Sequence, residues 1–336
     1  MRVAASAREP AEGLPASGPI RKIALEEHFT TPDLASRNVA RPTRSDALFA
    51  DIERRLVDFD SLRLETMDRA GISLCVLSVT TPGVQAEKDT ATAISLARKA
   101  NDALAEEVRR QPTRYAGFAH LPMQDPTVAA DELERCVRQL GFKGALINGQ
   151  TNGQYLDADR FLPFWERVAD LDVPVYLHPG ELADAPAMFA GRPELGGAVW
   201  AWTAETASHA LRLVFGGTFT RFPTLKVILG HMGETLPSLL WRFDSRWQCA
   251  LGETLPPEQL PSAIIRRHFA ITTSGVCDPT ALAAAIAALG EDAVMFSVDY
   301  PYEDTSAAAA FIEAAPLDPA VRAKVCHANA ERILKL

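Results

Sequence analysis

The chain predicts an α/β fold of the (β/α)8 TIM-barrel type, and three observations predict it. Eight short apolar runs recur along the sequence, helix-period segments lie between them, and polar residues able to do chemistry gather at the carboxyl ends of the runs. The runs are KIALEE (22–27), SLCVLSV (73–79), YAGFAHL (115–121), KGALING (143–149), VPVYLH (173–178), KVILGH (226–231), FAITTS (269–274) and AVMFSVD (293–299). Each holds Val, Ile, Leu or Phe and is mostly apolar, as strands buried on both faces of a parallel sheet require. Residues 91–110 carry Ile94, Ala97, Ala100, Leu104 and Val108 three to four apart, the period of a helix packed on one face. Similar segments are 127–140, 159–171, 204–215, 235–247, 279–289 and 319–334. The rival architecture, an open doubly wound sheet, would carry a glycine-rich phosphate turn; neither GxGxxG nor GxxxxGK[ST] occurs.

Composition narrows the class further. The 336 residues are 47% hydrophobic and 23% charged, a globular balance that excludes disordered, collagen-like and coiled-coil chains. Thirty-four basic against forty-three acidic residues leave a net charge of −9, the wrong sign for general binding to nucleic acid or an anionic membrane. No apolar run approaches the ~20 residues of a membrane span. The five cysteines (Cys75, Cys136, Cys249, Cys277, Cys326) are scattered and never form CxxC, which predicts a reducing, cytoplasmic setting without disulfides or a thiolate zinc site. Residues 1–20, rich in Ala, Pro, Gly and Ser, read as a flexible extension without the apolar core of a secretory signal; residues 21–336 read as one catalytic barrel.

The strand ends carry the functional prediction. Run one ends Glu26-Glu27-His28, run three near His120, run five at His178, run six at His231 and run eight at Asp299. Side chains alternate along a strand, so Glu26 and His28 share a side and Glu27 takes the other. Glu26, His28, His178 and Asp299, from three strands, suit one divalent ion, Zn2+ or Mn2+, whereas Ca2+ would take more oxygens. Singly, a strand-end histidine reads as a hydrogen-bonded loop residue and an aspartate as a helix cap; their joint occurrence favours the metal. His120 reads equally as pocket floor or as a backbone partner, His209 as packing or a subunit contact, His268 as a solvated edge and His327 as structural. Trp200, Trp202 and Phe189 read as pocket wall or ordinary packing, and 131–138 as a solvated charged helix face.

KIALEEHF, RLETMDRAGISLCVLSVTTPGVQ, VPVYLHPG, ETASHALRLVFGG, FPTLKVILGHMGE, ITTSG and SVDYPYED together resemble the amidohydrolase superfamily. Within it they are similar to the nonoxidative aromatic acid decarboxylases of the γ-resorcylate (2,6-dihydroxybenzoate) type, over residues 22–336. The resemblance implies an amidohydrolase-like barrel that reversibly decarboxylates a hydroxylated aromatic acid such as a dihydroxybenzoate, releasing CO2. It implies Glu26, His28, His178 and Asp299 as metal ligands, His231 and Glu234 as a polar pair beside the substrate, and Arg242 as a supporting group. Asp299 would protonate the ring carbon while the ortho hydroxyl and carboxylate lie on the metal. Related families place HxH on strand one and a carbamylated lysine on strand four. Here strand one reads Glu-Glu-His and Lys143 lies at the wrong end of strand four, which implies one metal. After His178-Pro179 the chain reads GELADAPAMF where close relatives have Arg-Asn, so residues 180–195 are expected to form part of an altered lid. A small aromatic acid is the expected partner, together with a second copy in a homo-oligomer (dimer or tetramer) through the helical face 204–215. Two other readings stand beside this one: metal-dependent hydrolysis of a lactone or amide of a cyclic acid with Asp299 as general base, and a non-catalytic metal- or ligand-binding barrel.

Overall fold

The computed structural model describes residues 19–35, 46–184 and 186–336, so nearly all of the expected N-terminal extension lies outside the described residues. Eight parallel strands follow in chain order: β1 (Lys22–Phe29), β2 (Ile72–Val79), β3 (Tyr115–Gly117), β4 (Ala145–Asn148), β5 (Val175–His178), β6 (Val227–Leu229), β7 (Phe269–Thr272) and β8 (Val294–Met295). They form ladders β1–β2–β3 and β4–β5–β6–β7–β8. Single parallel bridges join the ladders at both seams, Ala119 to Ala145 and Glu27 to Tyr300, so the sheet closes into a cylinder. At the second seam His28 N–H donates to Tyr300 O at 2.7 Å and Asp299 N–H to Glu26 O at 3.0 Å.

Burial separates two cores, as a barrel requires. Ile23, Leu25, Val76, Phe118, Leu146, Tyr176, Ile228 and Met295 fill the cylinder. Ala24, Cys75, Leu77, Ile147, Val175 and Leu177 face outward, packing on helix residues such as Ala97, Leu104, Leu133, Phe164 and Val168. Ala330 and Leu334 join the inner cluster, and Lys335 binds Asp172 just before β5, so the C-terminal segment closes the floor at the strands' amino ends.

Helix starts follow sequence chemistry. Asp89, Asp125, Asp278 and Asp304 each accept backbone N–H bonds at the head of helices Thr90–Arg110, Pro126–Leu140, Pro279–Leu289 and Thr305–Ala314. Proline fits the first turns at Pro126 and Pro279, where no intrahelical donor is needed.

Several expectations are corrected. The segment 319–334 is not one helix: a π-turn, Lys324–Ala328, separates Pro319–Ala323 from Asn329–Leu334. His268 is not at a solvated edge but buried, its Nδ1–H donating to Leu225 O at 2.9 Å while the ring stacks on Phe219 at 4.4 Å. Glu132, expected on a solvated face, is buried and accepts from Asn101 at 2.8 Å. Helices Asp46–Leu56, Leu62–Ala70 and Pro261–His268 were not foreseen, their short apolar stripes being interrupted by charge.

Candidate metal centre

Glu26, His28, His178 and Asp299 converge at the carboxyl end of the barrel, each offering one ligand atom within 4.8 Å of the others. Strict alternation from the inner residues Ile23 and Leu25 would send Glu26 outward. A bulge prevents this: between Ala24 and Glu27 strand β1 advances three residues while β2 advances two, from Cys75 to Leu77. The extra residue brings Glu26 and His28 onto the inner side and leaves Glu27 opposite. There Glu27 Oε1 accepts from Val298 N–H at 3.0 Å and Ser297 Oγ–H at 3.3 Å, and burial pushes its carboxyl up to about 8.

The four candidate ligands are held from behind. Glu26 Oε2 accepts from the Tyr176 hydroxyl at 2.5 Å, from Ser274 Oγ and, at 3.5 Å, from Thr272 Oγ1. His178 Nδ1–H donates to Pro179 O at 2.9 Å, and His28 Nδ1 lies 3.2 Å from Ser78 Oγ. The buried Arg63 guanidinium donates to His28 O at 2.6 Å and stacks 4.5 Å over the Tyr300 ring. Tyr176, Thr272, Ser274, Ser78, Arg63 and Ser297 had not been singled out from sequence. The readable clue was parity, since Tyr176 lies two residues before His178 and Ser274 two after Thr272.

What remains faces inward unsatisfied. Glu26 Oε1, His28 Nε2 and Asp299 Oδ1 are buried without a hydrogen-bond partner. His178 Nε2 lies 3.2 Å from Glu26 Oε1, and His28 Nε2 lies 3.2 Å from Asp299 Oδ1. With Nδ1–H of His178 given to a carbonyl, its Nε2 is the atom left to face the cluster, where an ion could take it as a ligand. Burial holds the His28 imidazole below its ordinary pKa. Burial would raise Glu26, but the imidazoles of His231, His178 and His28 hold it well below the carboxylate range. Two imidazoles and two carboxylates turned to one point fit a single divalent ion. Asn148 ends β4 where a bridging lysine would stand, and Lys143, donating to Lys335 O, is at the opposite end.

Above this point lies a cavity of about 450 Å3 that His178, His231, Glu234 and Asp299 help to line. His231 Nδ1 is 2.7 Å from Glu234 Oε1, and His231 Nε2 is 3.8 Å from Asp299 Oδ2. Burial opposes charge on His231, but the carboxylates of Glu26, Glu234 and Asp299 raise its pKa well above normal. Residues 231–235 all have positive φ (47°, 56°, 78°, 52° and 67°), a left-handed turn in which only Gly233 is free of Cβ strain. This turn is why the helix expected from 235 begins only at Leu240.

Other expected residues fall elsewhere. Arg242 is exposed on helix Leu240–Leu251 and lines a separate surface groove with Phe215 and Trp247, away from Glu234. His120 and His209 are buried and accept backbone N–H bonds from Val84 and Leu156, both at 2.9 Å. Trp202 lines the cavity; Trp200 is 45% exposed and does not. Among the described residues of the expected lid only Glu181 borders the cavity, joined by Ala198 beyond it.

These features define a mononuclear metal barrel, and the comparisons agree. The amidohydrolase family model matches residues 46–336. A γ-resorcylate decarboxylase of Polaromonas sp. (strain JS666 / ATCC BAA-500) is 44% identical over 325 residues, 94% of this chain and 98% of that one. A 2,6-dihydroxybenzoate decarboxylase solved with 2,6-dihydroxybenzoate superposes with a TM-score of 0.89 at 41% identity, covering 94% and 99% of the two chains. The dihydroxybenzoic acid decarboxylase of Polaromonas sp. JS666, solved with manganese and the inhibitor 2-nitroresorcinol, gives 0.88 at 43% identity, covering 94% and 97%. The chain belongs to the amidohydrolase family, in its branch of metal-dependent carboxy-lyases. Among the described residues no helix is long and apolar enough to cross a membrane.

Proposed function

We propose that this chain catalyses the reversible, nonoxidative decarboxylation of a hydroxylated aromatic acid such as a dihydroxybenzoate. The observation that carries the reading is the convergence of Glu26, His28, His178 and Asp299 beneath a cavity bordered by the His231–Glu234 pair. These four side chains would hold one divalent ion, Mn2+ or Zn2+, which supplies Lewis acidity and a template for the substrate's oxygens. Expelling CO2 directly would leave an aryl anion, so the ring carbon must be protonated first. Asp299 is suited to this: its Oδ1 turns to the ligand cluster, and its carboxylate also borders the cavity. A proton reaching Asp299 from His231, whose Nε2 lies 3.8 Å from Asp299 Oδ2, passes to the ring carbon bearing the carboxylate; the bond to that carboxylate then breaks and its electron pair restores the aromatic ring. His231, held by Glu234, orients the ortho hydroxyl and exchanges its proton. Arg242 keeps a role only as a supporting group, and its exposure favours contact with a second copy.

Phe215 at 41% and Leu239 at 38% exposure line an apolar groove with Arg242, and Trp241, next to Arg242 in sequence, is 80% exposed; these support a homo-oligomer, dimer or tetramer. That groove lies at the end of the helix Ala201–Phe215, whose middle buries His209, Ala210 and Leu213 against the barrel. Five free cysteines, three of them buried, support the cytoplasmic assignment. The test is incubation of Mn2+-loaded protein with a panel of hydroxybenzoates. CO2 release, and carboxylation of resorcinol in bicarbonate, are expected; hydrolysis of lactones without either would overturn the reading.

A further inference from the structure

We propose that Ser297 is a positioning residue for the metal centre, its hydroxyl holding the β1 bulge that turns Glu26 into the barrel. Ser297 Oγ accepts N–H bonds from both Leu25, at 3.0 Å, and Glu26, at 2.5 Å. Two consecutive strand amides normally point to opposite sides, so convergence on one oxygen occurs only where an extra residue breaks the ladder. The same hydroxyl spends its proton on Glu27 Oε1 at 3.3 Å, so its one donor and two acceptor sites are all used. It is fixed in turn by Thr273, whose Oγ1 accepts from Ser297 N–H at 3.1 Å and donates to Ser297 O at 3.0 Å.

The consequence follows from the period of a strand. Without the extra residue, Leu25 inward would place Glu26 outward, away from Tyr176 and Ser274. Glu26 and Glu27 would exchange sides, and His28 would leave the ion. Ser297 sits on the segment that also delivers Asp299, so one hydroxyl sets the relative register of three ligands across the β8–β1 seam. A methyl group in its place leaves two buried amides without an acceptor and Glu27 without one donor.

This inference rests on the metal reading above, and its test separates the two. Metal-stripped wild type, Ser297→Ala and Thr273→Val are titrated with Mn2+ by calorimetry, and the bound Mn2+ is examined by electron paramagnetic resonance. Ser297→Ala is expected to bind Mn2+ 10–100-fold more weakly, the usual effect of losing a group that orients a ligand, with an altered spectrum. Thr273→Val, which loses bonds to the Ser297 peptide groups but none to β1, is expected to lower thermal stability while keeping affinity within threefold. Unchanged affinity and spectrum in Ser297→Ala, or equal losses in both variants, would overturn the proposal; a wild type that takes up no Mn2+ would end the metal reading itself. Should Ser297→Ala not fold, Ser297→Cys, a weaker acceptor on the same stem, is expected to show an intermediate loss, and wild-type affinity there would be equally decisive against it.

Discussion

Replacing Gly230 by alanine is the sharpest probe of the Glu26 cradle. Gly230 has φ −73° and ψ −171°, a conformation open to any residue, so the backbone gives no objection to alanine. The objection is steric: an added Cβ would stand 2.5 Å from Glu26 Oε2, 2.9 Å from Oε1 and 3.1 Å from Cδ. To reach ordinary contact near 3.4 Å, the carboxylate must retreat by about 0.9 Å. It cannot do so and keep the bonds from Tyr176 and Ser274, which come from β5 and from the end of β7, the two neighbours of the strand that leads into Gly230. Hydrogen bonds to a charged group contribute about 1.5–3 kcal/mol each, so losing both costs at least ~3 kcal/mol. At ~1.4 kcal/mol per tenfold, Mn2+ affinity should fall at least ~100-fold. Calorimetric titration of the metal-stripped variant measures this directly, with circular dichroism to confirm the fold. Affinity within threefold of wild type would show that Glu26 Oε2 is not held where the hydrogen bonds place it.

Asp299→Asn should abolish CO2 release while retaining part of the bound metal; turnover above a few per cent of wild type would remove it as the proton donor. His231→Ala should lose turnover with metal content preserved, as metal analysis reads, and loss of the ion would instead make His231 a ligand. Burial depresses His120 and His209 to about 3, below the ~6.5 of an unfolded histidine, so the unfolded chain takes up protons first. Their contribution is complete above about pH 6.5 and is lost as pH falls, by up to ~1.4 kcal/mol per pH unit for each, and a urea midpoint flat between pH 7 and 5 would contradict it. Glu205 runs the other way: burial raises it to about 8, so stability declines as pH rises from its unfolded value toward 8, and Glu205→Gln should raise the urea midpoint at pH 8. Trp241→Glu should shift the protein to monomer in light scattering; an unchanged mass would place the subunit contact elsewhere.

All eight strands were legible because burial on both faces leaves an apolar run that survives any detail of register. The convergence of the four candidate ligands was legible because barrel chemistry sits at strand ends, and His178 and Asp299 end their runs. The β1 bulge was not, since it depends on Ser297 lying opposite Leu25 and Glu26, 271 residues from the latter. Nor was the left-handed turn at 231–235, where four of five residues carry a Cβ and only Gly233 hints at it. His268 was misread because two arginines precede it, yet the ring packs beneath Phe219 while Arg266 turns out to the Ala288 carbonyl. Arg242, eight residues past Glu234 in sequence, stands exposed on its helix and lines a groove with Phe215, Phe243 and Trp247, a placement that sequence spacing alone does not give.

The seam between the opening and final strands has a further implication. Glu26 and His28 lie on the opening strand of the barrel and Asp299 just past the last one, so they meet only once that seam has formed. A fragment lacking either end of the barrel therefore carries only part of the candidate ligand set. An ion held by all four side chains would bind only the closed cylinder, so its concentration would add to the stability of that closure.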